Sequence, residues 1–174
     1  MATRIDGKAL AAKVKAQTAE AAKSLHRRPG LAVILVGNDP ASRVYVPGKE
    51  KDCAECGFLS FERALPEDTT QETLLDLIQA LNRDPQVDGI LCQLPLPGHL
   101  DEAAGLNAIA RDKDVDCFHP YNVGRLMIGD PVFLPCTPAG VMEMLREYAI
   151  PVRGKRCVVL GRSNIVGKPM AMLL

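Results

Sequence analysis

Leu31-Ala-Val-Ile-Leu-Val36 is an unbroken apolar run, bounded by Pro29-Gly30 before it and by Gly37-Asn-Asp-Pro40 after it. A strand with one wet face alternates apolar and polar residues. A strand without alternation is covered on both faces, as in a parallel sheet flanked by helices. The flanking segments carry helical signals. Asp6 is placed to cap a helix over Lys8 to Arg28 with Leu10, Val14, Thr18, Ala21 and Leu25 on one face. Asp39 and Pro40 open a second helix running to about Cys56, and Gly57 closes it.

The alternation continues. Phe58 to Leu65 reads as a strand, Thr69-Thr-Gln-Glu72 as a capping box, and Leu74, Ile78 and Leu81 as the buried stripe of the helix it starts. Gly89 to Gln93 is a third strand, followed by the stiff Leu94-Pro-Leu-Pro97. Asp101 to Ala110 reads as a short helix and Arg111 to Asp130 as loop. Thr137-Pro138 opens a helix with Val141, Met144, Leu145 and Tyr148 inward. Arg156 to Leu160 reads as a strand leading into Gly161, and a last helix begins near Val166. Strands separated by helices imply right-handed crossovers and a mainly parallel α/β sheet. The strand over 156–160 needs parallel neighbours that do not follow it, so the unit is either cut short or packs on another chain.

Composition narrows the function. Lysine plus arginine equal aspartate plus glutamate at 21 each, which disfavours a nucleic-acid or anionic-membrane surface and favours a small-molecule partner. No apolar stretch is long enough to span a bilayer. The acids at Asp6 and Glu20 argue against a transit peptide. Six cysteines without a secretory signal read mostly as buried small hydrophobes; Cys53 and Cys56 form one C-x-x-C, with no second pair to complete a zinc site.

Four groups of residues could carry chemistry. Gly161-Arg-Ser-Asn-Ile-Val-Gly167 lies between a strand and a helix. Its glycines allow a tight turn and a close approach, the helix start offers N–H groups to an anion, and Arg162 is placed to meet a ribose 2′-phosphate. Spacing alone fits an ordinary strand-to-helix turn equally well. Ser42, Tyr45 and Lys49 share one helix, with Tyr45 and Lys49 four apart on one face, which puts an amine beside a ring able to stack on a heterocycle. Spacing alone also describes a surface lysine lying over a tyrosine. Gln93 ends a strand at the edge where parallel sheets gather ligands, though position alone better fits a polar residue where the strand meets water. Asp116 sits in a turn-rich loop, able to hold a guanidine-like ring edge or simply to cap a turn. His26, His99 and His119 read as structural.

Taken in order, Ile5-Asp-Gly-Lys8, Val36-Gly-Asn-Asp-Pro-Ala-Ser42, Tyr45-Val-x-x-Lys49, Gly89-Ile-Leu-Cys-Gln-Leu-Pro-Leu-Pro97, Lys113-Asp-Val-Asp116, Phe118-His-Pro-Tyr-Asn-Val-Gly124, Pro135-Cys-Thr-Pro138 and Gly161 to Pro169 resemble the tetrahydrofolate dehydrogenase/cyclohydrolase family. The resemblance implies a three-layer parallel-sheet catalytic domain over 1–137. The first strand–helix unit of a Rossmann NAD(P)-binding domain follows over 138–174. It implies NADP-dependent oxidation of 5,10-methylenetetrahydrofolate and hydrolysis of the methenyl product to 10-formyltetrahydrofolate, within one-carbon metabolism and purine biosynthesis. Lys49 would transfer the proton, Gln93 would position it, and Tyr45 would stack on the folate beside Ser42. Asp116 would hold the pterin edge. Gly161, Arg162 and Ser163 would bind NADP, with Thr137 near the cleft. The resemblance also implies a cytoplasmic protein without a targeting peptide, truncated within the nucleotide domain, whose full-length relatives form homodimers and bind neither nucleic acid nor membrane. A folate-binding module without hydride transfer is the alternative; a shikimate-type dehydrogenase fits less well, because it does not explain the Tyr-x-x-x-Lys and Gln-Leu-Pro-Leu-Pro pair.

Two positions depart from the family pattern. Pro47-Gly48 lies between the tyrosine and the lysine; mid-helix proline costs about 3 kcal/mol and glycine about 1, so a kink is expected that would displace Lys49. Cys117 follows Asp116 where the family usually has glycine, so a positive φ there would strain the loop.

Overall fold

The computed structural model describes residues 3–174, with the side chains of residues 40–47 outside the description. By compactness the chain divides in two. One unit is Lys15–Val115; the other gathers residues up to Val14 with Asp116–Leu174.

The Lys15–Val115 unit holds the sheet: β1 (Gly30–Val36), β2 (Leu59–Leu65) and β3 (Gly89–Cys92), all parallel, in the order β2-β1-β3. Central β1 pairs in register from Gly30 with Leu59 to Val36 with Leu65, and on its other side from Leu31 with Gly89 to Ile34 with Cys92. Its two faces are both covered, as the missing alternation requires. Ala32, Ile34 and Val36 join Leu74, Ile78, Leu81, Ile90 and Ile109 in the larger apolar cluster, and Val33 and Leu35 join Leu91 on the opposite face. The first cluster is supplied by α3 (Gln71–Arg83) and the segment around α4 (Glu102–Ala108). The long α2 (Pro40–Cys56) packs on β1 and β2. It continues through Pro47 and Gly48, so the expected disruption does not break the helix, and Gly57 (φ 78°) closes it.

Several expectations shift. The cap of α3 is Thr70, whose side chain accepts from the Thr73 N–H, one residue later than the box read from Thr69 and Glu72. Thr69 instead turns its hydroxyl to the Pro66 carbonyl. Asp6 does cap α1 through the Ala9 N–H, but α1 is Gly7–Ala22 and buries no residue; Leu25, counted in its apolar face, lies beyond it and is exposed. Lys15 ties the helix to Asp52 and Glu55 of α2, and Thr18, Ala19 and Ala22 are half-buried.

In the other unit, Pro120–Met127 is helix (α5), where the sequence reads as loop. His119 caps it by accepting the Tyr121 N–H, and Pro120 occupies the first turn, a signal visible in His-Pro. Next come α6 (Cys136–Glu147), starting one residue before Thr137, and α7 (Gly167–Leu173). Val141, Met144, Leu145 and Tyr148 are half-buried. Residues 156–160 pair with no described strand, and Val158 and Leu160 are exposed, as a strand without neighbours must be. No helix among the described residues is long and apolar enough to cross a membrane.

Candidate functional site

Parallel strands point their carboxyl ends the same way, so the turns after β1 and β3 meet at one edge of the sheet. Between them is a cleft of about 340 Å³, lined by Val36, Gly37, Asn38 and Asp39 after β1, Glu67 after β2, and Pro95, Leu96 and Pro97 after β3. Gly37 has φ 76°, and its N–H donates to the Leu65 carbonyl at 2.9 Å, which closes the turn over the neighbouring strand. The Leu94–Pro95 peptide is cis.

Gln93 is the first residue beyond β3, and its backbone N–H still donates to Ile34 of β1 at 2.9 Å. Its side-chain Nε2 donates to the Leu94 carbonyl at 2.8 Å, which fixes which way the amide faces. The amide oxygen is thereby turned to Lys49, whose Nζ donates to it at 2.7 Å. Both side chains are half-buried. Helix α2 and the tip of β3, 44 residues apart in sequence, thus converge on one amine–amide pair. The expected displacement of Lys49 by Pro47-Gly48 does not separate them.

Ser42 and Tyr45 fall among the side chains outside the description. Asp116 belongs to the other unit and is half-buried. Cys117 beside it is fully buried with φ 58°, so the position does take the left-handed backbone, on a residue with a Cβ. Four cysteines are buried (Cys53, Cys56, Cys92, Cys117) and two exposed (Cys136, Cys157). Burial pushes the Cys53 and Cys56 thiols up, away from the reactive thiolate. Among the described residues no group of three His, Cys, Asp or Glu is placed to hold a metal ion.

The glycine turn before α7 has the expected closeness. A Cβ on Gly167 would stand 2.5 Å from the Gly161 carbonyl oxygen, and Gly161 has φ 135°. Arg162 and Thr137 are exposed. The N–H groups of Val166 and Gly167, expected to be open to an anion, both donate to Ser163 Oγ at 3.2 Å. The sequence reading missed the cleft residues Asn38, Glu67 and Pro95–Pro97 as a group. The signal was present in the Gly37-Asn-Asp-Pro40 turn, which ends the central strand of a parallel sheet.

Comparison with known proteins places these features in a family context. The model of the tetrahydrofolate dehydrogenase/cyclohydrolase catalytic domain matches residues 5–116, and that of the family's NAD(P)-binding domain matches residues 135–174. The bifunctional protein FolD of Acetivibrio thermocellus is 62% identical over 173 residues, covering 98% of this chain and 61% of that protein. FolD of Streptococcus pneumoniae serotype 4 is 59% identical over 174 residues, with coverage of 98% and 61%. The crystal structure of the Campylobacter jejuni bifunctional enzyme FolD, a methylenetetrahydrofolate dehydrogenase/cyclohydrolase, superposes with a TM-score of 0.95 at 51% identity, covering 98% of this chain and 62% of that one. The Trypanosoma brucei dehydrogenase-cyclohydrolase, solved with NADP cofactor and inhibitor, gives 0.95 at 42%, covering 99% and 60%. The chain therefore spans about 61% of the length of the curated relatives it matches.

Proposed function

The chain belongs to the tetrahydrofolate dehydrogenase/cyclohydrolase family, and from that membership we propose that it binds one-carbon tetrahydrofolates at the carboxyl edge of its sheet and hydrolyses the 5,10-methenyl form to 10-formyltetrahydrofolate. The observation that carries this reading is the 2.7 Å bond between Lys49 Nζ and Gln93 Oε1. Hydrolysis of a methenyl cation needs a base to take a proton from the water that adds to the carbon, an acid to protonate the ring nitrogen as its C–N bond opens, and release of the remaining hydroxyl proton to solvent as the formyl C=O forms. An amine held by an amide can be both the base and the acid. A cationic substrate beside Lys49 disfavours the ammonium form and so makes the free amine available, while the amide keeps the nitrogen in place. Tyr45 and Ser42 contact the folate from α2, and Asp116 holds the pterin edge by paired hydrogen bonds.

The dehydrogenase half of the proposal assigns NADP to the turn at Gly161. The close approach of Gly167 to the Gly161 carbonyl, which any Cβ would block, fits a loop shaped for a pyrophosphate. Gly161, Arg162, Ser163 and Thr137 would hold the nucleotide, with Arg162 meeting the 2′-phosphate. When bound, NADP supplies the acceptor for the hydride that leaves the methylene carbon. The proposed division into functional domains is 1–137 and 138–174. A cytoplasmic location, a homodimer and a supply of one-carbon units to purine biosynthesis are part of the same proposal and are supported by family membership alone; the even charge balance favours this small-molecule role over nucleic acid or membrane binding.

The test is hydrolysis of methenyltetrahydrofolate, followed by loss of the methenyl absorbance, in Lys49→Met and Gln93→Ala. Loss of a positioned proton-transfer group costs about 10²–10⁴-fold, so Lys49→Met is expected in that range and Gln93→Ala somewhat less affected. Wild-type rates in both would overturn the reading.

A further inference from the structure

The amide of Gln93 can face Lys49 with its oxygen or its nitrogen. The Leu94 carbonyl decides, by accepting from Nε2 at 2.8 Å. Leu94 begins an eight-residue connection, Leu94 to Asp101, that is neither strand nor helix. The placement of that carbonyl therefore depends on what holds the connection. Leu94 itself packs against the larger core cluster, and Leu96 and Leu100, 9% and 8% exposed, belong to it. The remaining ties are polar and lie outside the cleft. The Asp101 N–H donates to Gln71 Oε1 at 2.7 Å, and Gln71 Nε2 returns a long 3.5 Å bond to the Asp101 carbonyl. His99 Nε2 donates to the Thr69 carbonyl at 2.9 Å.

Those partners are informative. Thr69 closes the turn after β2 through its bonds to Pro66, and Glu67 of that turn is one wall of the cleft. Pro95, Leu96 and Pro97 of the connection are the facing wall. Gln71, in the first turn of α3, and His99 therefore join the two walls from behind, and neither lines the cleft. We propose that Gln71 and His99 are positioning residues for the proton-transfer pair, holding the Leu94–Asp101 connection so that the Gln93 amide presents its oxygen to Lys49. This rests on the reading of Lys49 and Gln93 given above, and adds to it two residues that lie outside the cleft lining and are bonded to Asp101 and Thr69 rather than to the pair.

The clamp can be read without turnover. In protein carrying ¹³Cε-lysine, the Lys49 titration midpoint reports whether an acceptor faces its nitrogen, because a bond accepted from the ammonium favours the charged form. Gln93→Ala sets the full effect, a fall in midpoint. Gln71→Ala is expected to lower the midpoint by about half a pH unit, a fraction of the loss of one hydrogen bond to a charged group. It should lower it no further in the Gln93→Ala background, since there is then no amide to turn. Gln71→Glu keeps an acceptor for the Asp101 N–H and should restore most of the shift. His99→Ala alters an exposed side chain and gives a second reading of the same clamp should Gln71→Ala fail to fold. A purely structural role would lower stability and leave the midpoint alone. If Gln93→Ala moves the midpoint but Gln71→Ala and His99→Ala leave it unchanged, the clamp is refuted and the Lys49–Gln93 pair stands. If Gln93→Ala itself moves nothing, both fall.

Discussion

At the scale of single residues, two non-glycine residues among those described sit in the left-handed region, one exposed and one buried. Ala149 (φ 51°) is exposed just past the end of α6, where the Ile150 N–H folds back to the Leu145 carbonyl. Its conformation costs about 1–2 kcal/mol for a residue with a Cβ, against about 0.5–1 for the extra freedom of glycine in the unfolded chain. Ala149→Gly should therefore raise unfolding stability by about 0.5–1 kcal/mol in a urea titration. Cys117 (φ 58°) is fully buried, so glycine there would relieve strain and also empty the space the thiol fills. Asp88 gives a pH prediction. The Arg27 guanidinium, donating to Oδ2 at 2.8 Å, and the Gly30 N–H hold its carboxyl below the usual range against the opposing effect of burial. A carboxyl depressed in the folded state stabilises fully above its unfolded pKa and loses that contribution as pH falls through the folded value. Asp88→Asn should thus destabilise near neutrality, by about 1 kcal/mol or less because the pair is partly exposed, and match the parent in strong acid. A constant difference across the acid range would remove the charge from the explanation.

At the scale of elements, local signals succeeded where the neighbours were in the same unit. The strand read at Leu31–Val36 lies within β1, and α2 begins at Pro40 and ends before Gly57 as its terminal residues dictate. Residues 156–160 carry strand-forming side chains yet form no ladder, because ladder bonds need partners the described chain does not provide. Amide hydrogen exchange should separate the two. Residues 32–34, buried and paired with a strand on each side, should be among the slowest, and 156–160 should exchange almost as fast as a free chain. Strong protection over 156–160 would mean that another strand covers it. The helix at Pro120–Met127 shows the opposite failure: its cap and its N1 proline were legible, but a turn-rich composition masked an eight-residue element.

At the scale of the molecule, chemistry and cofactor differ in how much of their support the chain contains. The Lys49–Gln93 pair and the cleft lie wholly within the Lys15–Val115 unit, which has both core clusters and the whole sheet. The proposed NADP turn follows a segment with Val158 and Leu160 exposed. The proposed methenyl hydrolysis by this 174-residue chain should accordingly come closer to the rate of a longer relative assayed alongside than the proposed NADP-dependent oxidation of the methylene form. Oxidation at the relative's rate by this chain would reverse that order.

The sequence by itself determined the parallel α/β class, the limits of β1 and α2, the buried stripe of α3, and the residue types at the candidate site. All of these follow from periodicity, capping and backbone freedom within one short stretch of chain. Only the tertiary structure decided that α2 reaches Gln93 despite Pro47-Gly48, and that the amide oxygen left over from the Leu94 carbonyl meets Lys49. Each of those depends on groups far apart in the chain meeting at hydrogen-bond or van der Waals distance, and no local pattern encodes such a meeting.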